Sequence, residues 1–298
     1  MIFELAHLLA LGAAFSWTIS GLFGHAPSVA LGSLHFNRIR MLVASLWLLP
    51  MVMISGASWS IAPSHMMPII LSSVIGVVIG DYFLFAAMRR LGPRLTAMLF
   101  AANAPLAAIL GWLILEEVLS VRVIIAIAVG FAGILLAILF GKRRDIGHIW
   151  ERIEKPLWIG VGAGLLAALG QASGVLILRP IMAEGASPWT VSLARVLVAA
   201  FCLWLSYPFD KSARALPIMP DKAIRLGILG NGFFGLSFGV ALMLMALETG
   251  PVAEVSLLAS TSPVLVLPFI WWQTKRVPPP GAWCGAFLVV VSSYLLLP

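Results

Sequence analysis

What most constrains this chain is a succession of long apolar runs with hardly a charge inside them. A helix needs about 20 apolar residues to cross the hydrocarbon core of a bilayer. Ten such runs follow one another, at roughly 5–24, 34–55, 67–88, 94–115, 121–140, 157–179, 188–207, 222–247, 251–273 and 279–297. Only 10% of the 298 residues are charged and 61% are hydrophobic; a soluble domain carries about 25% charged residues. A backbone surrounded by lipid must satisfy its own hydrogen bonds, so the expectation is an all-α integral membrane protein of ten transmembrane helices. The formal charge of +7 is too sparse for a nucleic-acid partner and sits in the connections, where it orients a chain in a bilayer. Cys202 and Cys284 lie inside apolar runs and read as small hydrophobes, with no metal-ligand spacing. No Lys or Arg precedes Arg38, so the first run lacks the basic n-region of a signal peptide and is expected to remain as a helix.

One stretch of the chain is written twice. Gly92 to Glu117, GPRLTAMLFAANAPLAAILGWLILEE, opens on Gly-Pro and carries Pro105 near its middle; Gly250 to Lys275, GPVAEVSLLASTSPVLVLPFIWWQTK, repeats the plan with Pro263. Gly92, Pro93, Leu99, Ala101 and Pro105 match Gly250, Pro251, Leu257, Ala259 and Pro263 at one offset. The correspondence extends to Ala14, Ser20 and Gly21 with Ala167, Ser173 and Gly174, and to Arg40 with Arg195. The chain thus divides into a first repeat (1–141), a basic linker (142–156) and a second repeat (157–298). A proline within a helix releases the carbonyl four residues earlier, here those of Ala101 and Ala259. At membrane depth such carbonyls must be enclosed in protein or face a water-filled cavity. Interrupted helices at matching positions of two halves point to a transport site between them.

Five helices per repeat is an odd number, so the second half is expected to be inverted relative to the first. The charges agree. The connection between runs three and four has Arg89, Arg90 and Arg94, while its twin has Glu248 and Glu254. The connection between runs two and three has no basic residue, while its twin has Lys211, Arg214, Lys222 and Arg225. With Arg38 and Arg40 assigned to the first connection, the odd-numbered connections hold every Lys and Arg except Arg122, Arg179 and Arg195. Basic connections stay in the cytoplasm, which places both termini on the extracytoplasmic side. In the linker, Ile146, Ile149, Trp150 and Ile153 form one helical stripe, expected to lie along the cytoplasmic interface.

With these motifs the sequence resembles the drug/metabolite transporter superfamily, in its ten-helix form with two EamA-type repeats. The resemblance rests on GPRLTAMLFAANAP running into GWLILEE, and on the second copy around Pro263. It implies a basket of helices with a central cavity lined by helices 1, 3, 4 and 6, 8, 9. It also implies secondary transport of small metabolites in a bacterial inner membrane, a group in which amino-acid exporters, including aromatic ones, are well represented. The second copy departs by carrying Thr274 and Lys275 where the first has Glu116 and Glu117.

Asp81 is the sharpest candidate for function, because a carboxylate inside a membrane helix costs roughly 2.5–3.5 kcal/mol on insertion scales. It would bind a substrate ammonium or carry a coupling proton; the structural alternative is a pair with Arg40. Arg40 and Arg195 are long enough to snorkel to an interface, with contact to a substrate carboxylate as the second option. Polar residues on the expected cavity helices add Trp17, Tyr82, Asn103, Gln171, Asn231 and Thr261 as substrate-binding candidates. Pro105 and Pro263 are candidate hinges and Glu254 a candidate gate. Interhelical hydrogen bonding, worth about 0.6 kcal/mol on average, is the plainer role for the hydroxyls and amides.

No catalytic constellation emerges. Gly235-Leu-Ser237-Phe-Gly239 matches a nucleophile elbow but lacks its strand–turn–helix setting, and Gly160-x-Gly162-x-Gly164 lacks the strand and Lys-Ser/Thr of a phosphate loop. Those glycines, with Gly170 and Gly174, suit close helix packing. The expectation is a cofactor-free transporter, monomeric or a weak homodimer, exporting amino acids of aromatic or large neutral type by alternating access. Protons are its candidate coupling ion. Uptake of an organic cation is the alternative, and a non-transporting scaffold or sensor lies behind that.

Overall fold

The computed structural model of the chain describes residues 2–116, 120–140, 156–210, 221–275 and 277–296. The amphipathic stripe expected in the linker lies outside these residues. Among the described residues there is no strand. The first half runs α1 (Ile2–Leu31), α2 (Ser33–Ile54), α3 (Pro63–Ser72), a π-helical segment (Ser73–Ile79), α4 (Gly80–Phe100), α5 (Asn103–Ile114) and α6 (Val121–Phe140). The second runs α7 (Leu157–Ala183), α8 (Pro188–Leu205), a 3-10 turn (Tyr207–Phe209), α9 (Lys222–Asn231) and a second π-helical segment (Gly232–Gly239). It continues with α10 (Val240–Thr249), α11 (Val252–Ala259), α12 (Ser262–Thr274) and α13 (Pro280–Leu296).

Among the described residues six helical stretches are long and apolar enough to cross a membrane: Leu5–Leu31, Ser33–Ile54, Pro63–Phe100, Leu157–Ala183, Pro188–Phe209 and Lys222–Thr249. The other apolar helices are shorter, and for two of the ten expected runs the cause is a break in the backbone. Gly92 (φ 74°, ψ 171°) interrupts α4 in a left-handed conformation that glycine enters without strain. Gly250, its counterpart, is extended (φ −96°, ψ 144°). Further along, turns at Ala101–Ala102 and Ser260–Thr261 end one helix and start the next.

These turns revise the picture of two prolines bending continuous helices. Pro105 and Pro263 instead fall in the first turns of α5 and α12, where an N–H has no intrahelical partner to lose. The carbonyls of Ala101 and Ala259 are satisfied locally. Ala104 N–H donates to Ala101 O at 3.2 Å, and Ser262 Oγ donates to Ala259 O at 3.3 Å. Both alanines are buried, the protein-enclosed solution. Asn103 Nδ2 donates to Phe100 O at 2.7 Å, and its Oδ1 accepts from Ser260 Oγ at 3.3 Å. One break is thereby hydrogen-bonded to the other.

The dominant packing runs between the halves. The third expected run, from α3 through the first π-segment into α4, lies on α7. α1 lies along α9, the second π-segment and α10; α2 packs on α8, α5 on α11 and α6 on α13. Glycines permit the closest of these approaches. A Cβ on Gly170 would stand 2.9 Å from Gly80 Cα, and one on Gly174 would stand 3.2 Å from Gly76 Cα. At Gly160 and Gly164 it would meet Leu91 and Leu99 at 2.7 and 2.8 Å. Gly162 is different, with nothing within 4 Å.

Three cations assigned to connections turn out to be interior, Arg38, Arg40 and Arg94; Arg40 belongs to the central site described below. Arg94 is buried. Arg38 is fully buried, and its Nε donates to Leu203 O at 2.9 Å, Nη2 to Ser206 Oγ at 2.8 Å and Nη1 to Asp210 Oδ2 at 2.7 Å. It therefore satisfies a carbonyl left open at the C-terminal end of α8, locking the start of α2 to the end of its repeat counterpart.

Candidate functional site

The two π-segments fall in corresponding runs of the two halves, and they build the centre of the molecule. A π-turn inserts a residue into the helical register and leaves carbonyls free for outside partners. In the second segment these are taken from α1. Ser16 Oγ donates to Phe234 O at 2.7 Å and Trp17 Nε1 to Gly235 O at 3.1 Å. The segments are pinned from the flanking helices as well. Ser73 Oγ donates to Arg195 O at 2.6 Å, and Ser237 Oγ to Ala44 O at 3.2 Å. Between the segments lies a cavity of about 110 Å³. Since one water needs about 10–15 Å³ by this measure, it can receive several waters or a small polar headgroup.

Trp17, Asp81, Gln171 and Asn231 line this cavity, as do Arg40 and Arg195. Tyr82, Asn103, Thr261, Glu254 and Pro105 do not. Tyr82 follows Asp81 on a helix, about 100° further round, and is exposed on the outer face. Thr261 Oγ donates to Leu258 O at 2.8 Å beside its own break. Glu254 stands in the first turn of α11 with Oε2 3.6 Å from His7 Nε2, so it joins the start of α1 to that of α11.

Arg40 and Arg195 do not snorkel: their residues are only 3% and 5% exposed. Their surroundings differ. Arg40 Nη2 donates to the Asp81 carboxylate and, at 2.9 Å, to Asn37 Oδ1; Nη1 donates to Asn231 Oδ1 at 3.2 Å. Its guanidinium also lies 4.6 Å from the Phe85 ring centroid. Asn231 is itself fixed, its Nδ2 donating to Ser20 O and Oγ at 2.7 and 2.8 Å. Arg195 has only a long contact from Nη2 to Ser72 O at 3.5 Å, and its Nε has no hydrogen-bond partner among the described residues. Space for it is left by two glycines: a Cβ on Gly76 or Gly174 would stand 3.2 or 3.4 Å from Nη2.

The imbalance has a local cause. Asp81 directly follows the Gly76-x-x-x-Gly80 pair at the first π-segment, and the place after the matching Gly235-x-x-x-Gly239 pair at the second is held by Val240. One carboxylate therefore faces two repeat-related arginines, and Asp81 engages Arg40. Arg195 feels the Asp81 charge at longer range but makes no hydrogen bond to a carboxylate among the described residues, so the two arginines and one carboxylate leave the cavity a net positive charge. Its walls include Trp17, Phe85 and Phe100; the Trp17 and Phe100 rings meet edge to face with centroids 6.4 Å apart. The site offers a guanidinium fork for a carboxylate, an amide from Gln171 and an aromatic wall. Phe85, Phe100 and the sparse hydrogen bonding of Arg195 were not singled out from sequence: aromatic residues are common in membrane helices, and a side chain's partners show only once its neighbours are placed.

Among the described residues the chain is helical throughout, with a charged cavity between its two halves, an arrangement suited to a polytopic membrane carrier. The particular family follows from the sequence match. The chain belongs to the EamA-like transporter family, whose model matches residues 4–139 and again residues 158–297. Among named relatives, the S-adenosylmethionine/S-adenosylhomocysteine transporter of Chlamydia trachomatis serovar L2 is 24% identical over 157 residues, 53% of this chain and 48% of that protein. Its namesake in Chlamydia muridarum is 23% identical over 157 residues, 53% of this chain and 49% of that protein. The aligned region thus spans about half the length of these relatives. A crystal structure 17% identical to the chain superposes with a TM-score of 0.75, covering 97% of this chain and 95% of the other, which shows a shared fold.

Proposed function

We propose that this protein is a secondary transporter for amino acids, or metabolites carrying an amino-acid group, with a large neutral or aromatic body. The observation that carries this reading is the unmatched Arg195 guanidinium in a cavity walled by Trp17, Phe85 and Phe100. The substrate carboxylate pairs with Arg195, Gln171 orients the amino-acid end, and the apolar body lies against the rings. A carboxylate is the complement that offsets the cost of a bare guanidinium at membrane depth. The relatives' names fit this chemistry, since S-adenosylmethionine and S-adenosylhomocysteine are both α-amino acids with an aromatic base at the far end.

Alternating access runs between two inverted five-helix repeats, 1–141 and 157–298, in a ten-helix bundle. Matching breaks, matching π-segments and the packing of each half on the other support this arrangement. The breaks beside Pro105 and Pro263 serve as hinges. Both termini lie outside the inner membrane, the basic connections inside, and export is the direction the family resemblance implies. The organic-cation reading is disfavoured, because Asp81 is already engaged by Arg40 and the net charge of the pocket is positive.

The test is counterflow in proteoliposomes with labelled tryptophan, phenylalanine, leucine, S-adenosylmethionine and S-adenosylhomocysteine, with and without a pH gradient. Competable flux of at least one of these is expected. Absence of flux for the whole panel alongside flux of simple organic amines would overturn the reading. A response to the gradient would direct attention to Asp81 as the proton carrier.

A further inference from the structure

A second cavity, of about 700 Å³, lies away from the transport site. It occupies the opposite face of α4. Asp81, Phe85 and Met88 line the inner cavity, whereas Tyr82, Arg89 and Arg90 line this one. Its other walls are the α1–α2 turn at Gly32–His35, the start of α7 from Trp158 to Leu166, and Asp210. The ends of α1 and α8 and the starts of α2 and α7 therefore meet α4 at this cavity.

The groove is charged at one end and apolar at the other. Neither Arg89 nor Arg90 has an ion pair among the described residues. The lining's one carboxylate, Asp210, is held by Arg38 at 2.7 Å. His35 Nδ1 is buried there without a hydrogen-bond partner. At the mouth, Trp158 is 73% exposed, Leu166 46% and Tyr82 41%. Apolar side chains so exposed on a membrane helix face lipid, and an indole there suits the interfacial layer. The floor is kept open by Gly162, with nothing within 4 Å of where its Cβ would stand.

We propose that this groove is a binding site for an anionic phospholipid. Arg89 and Arg90 hold the phosphodiester, whose oxygens accept hydrogen bonds from the guanidinium forks, and the acyl chains run out between Tyr82 and Leu166. Basic pockets between helices on the cytoplasmic side of a membrane are where acidic headgroups bind. The apolar half distinguishes a lipid from a free phosphate compound, which would leave Trp158 and Leu166 without a partner.

Native mass spectrometry of the purified full chain, given phosphatidylglycerol and phosphatidylcholine in equal amounts, tests this directly. The wild type is expected to retain phosphatidylglycerol preferentially. The double variant Arg89→Gln, Arg90→Gln should lose that preference by roughly tenfold to thirtyfold. Gly162→Leu fills the floor, leaves both arginines in place and improves helix propensity. It should lower retention of either lipid, and it keeps the test alive if the double variant folds poorly. Equal retention of the two lipids by wild type would overturn the proposal, as would full retention in both variants. Complete displacement by millimolar inorganic phosphate would also overturn it, because the site would then read a phosphate alone.

Discussion

Arg40 and Arg195 occupy corresponding places in the two halves, yet one is saturated and the other is not. Arg40 has the Asp81 carboxylate, two amide oxygens and an aromatic face; Arg195 has one carbonyl at 3.5 Å and the Cα atoms of two glycines nearby. The difference arises at one pair of positions, Asp81 and Val240. A duplicated scaffold places two cations at its centre by symmetry, and a single unrepeated carboxylate turns one of them into structure. On the proposed reading the other is left for a ligand. Asp81–Arg40 then ties α2 to α4 within the first half, Arg40 reaches the second half through Asn231, and Arg195 is the recognition group.

The strongest way to break this contrast is Asp81→Asn. Removing one partner of a buried ion pair costs about 3–5 kcal/mol, so thermal unfolding in detergent should show a large loss of stability. A variant with wild-type stability but altered pH dependence of transport would instead make Asp81 a proton carrier. Next in size is Arg195→Gln. It should leave the fold intact and weaken binding of a carboxylate substrate by about ten- to hundredfold, the worth of a charge-assisted hydrogen bond, as read by competition in counterflow. Val240→Asp sharpens the comparison from the other side by giving Arg195 the carboxylate its twin has. Amino-acid flux should fall by about tenfold while flux of the corresponding amines holds or rises. Smallest is Pro105→Ala or Pro263→Ala, which should change turnover a few-fold and leave half-saturation unchanged; unaltered turnover in both would remove the hinge.

The contrast was only half legible in the sequence. Long apolar runs, their breaks near Pro105 and Pro263, and the close-packing glycines follow from composition and spacing, because lipid leaves a backbone few choices. Trp17, Asp81, Gln171 and Asn231 could be picked out because each is a polar or amphipathic residue within an apolar run. Tyr82 qualifies on the same ground, as a polar residue on an expected cavity helix, but consecutive helical residues do not share a face and it lies off the one Asp81 presents to the cavity. Asn103 and Thr261 sit at matched positions, but the backbone breaks beside them claim their side chains. The π-segments carry no propensity signal, so nothing announced that they would bring Arg40 and Arg195 to the centre. Both arginines had the reach to snorkel, and a tertiary partner such as Asp81 is visible only after folding.

The most direct measurement of the central claim is counterflow of matched ligands in proteoliposomes. Each amino acid found to be transported is compared with its decarboxylated amine, in wild type and in Arg195→Gln. If Arg195 is the anion receptor, the wild type moves the amino acid and rejects the amine, and Arg195→Gln loses that discrimination. If the amine matches the amino acid in wild type, or if Arg195→Gln transports the amino acid undiminished, the unmatched arginine is not what the substrate binds.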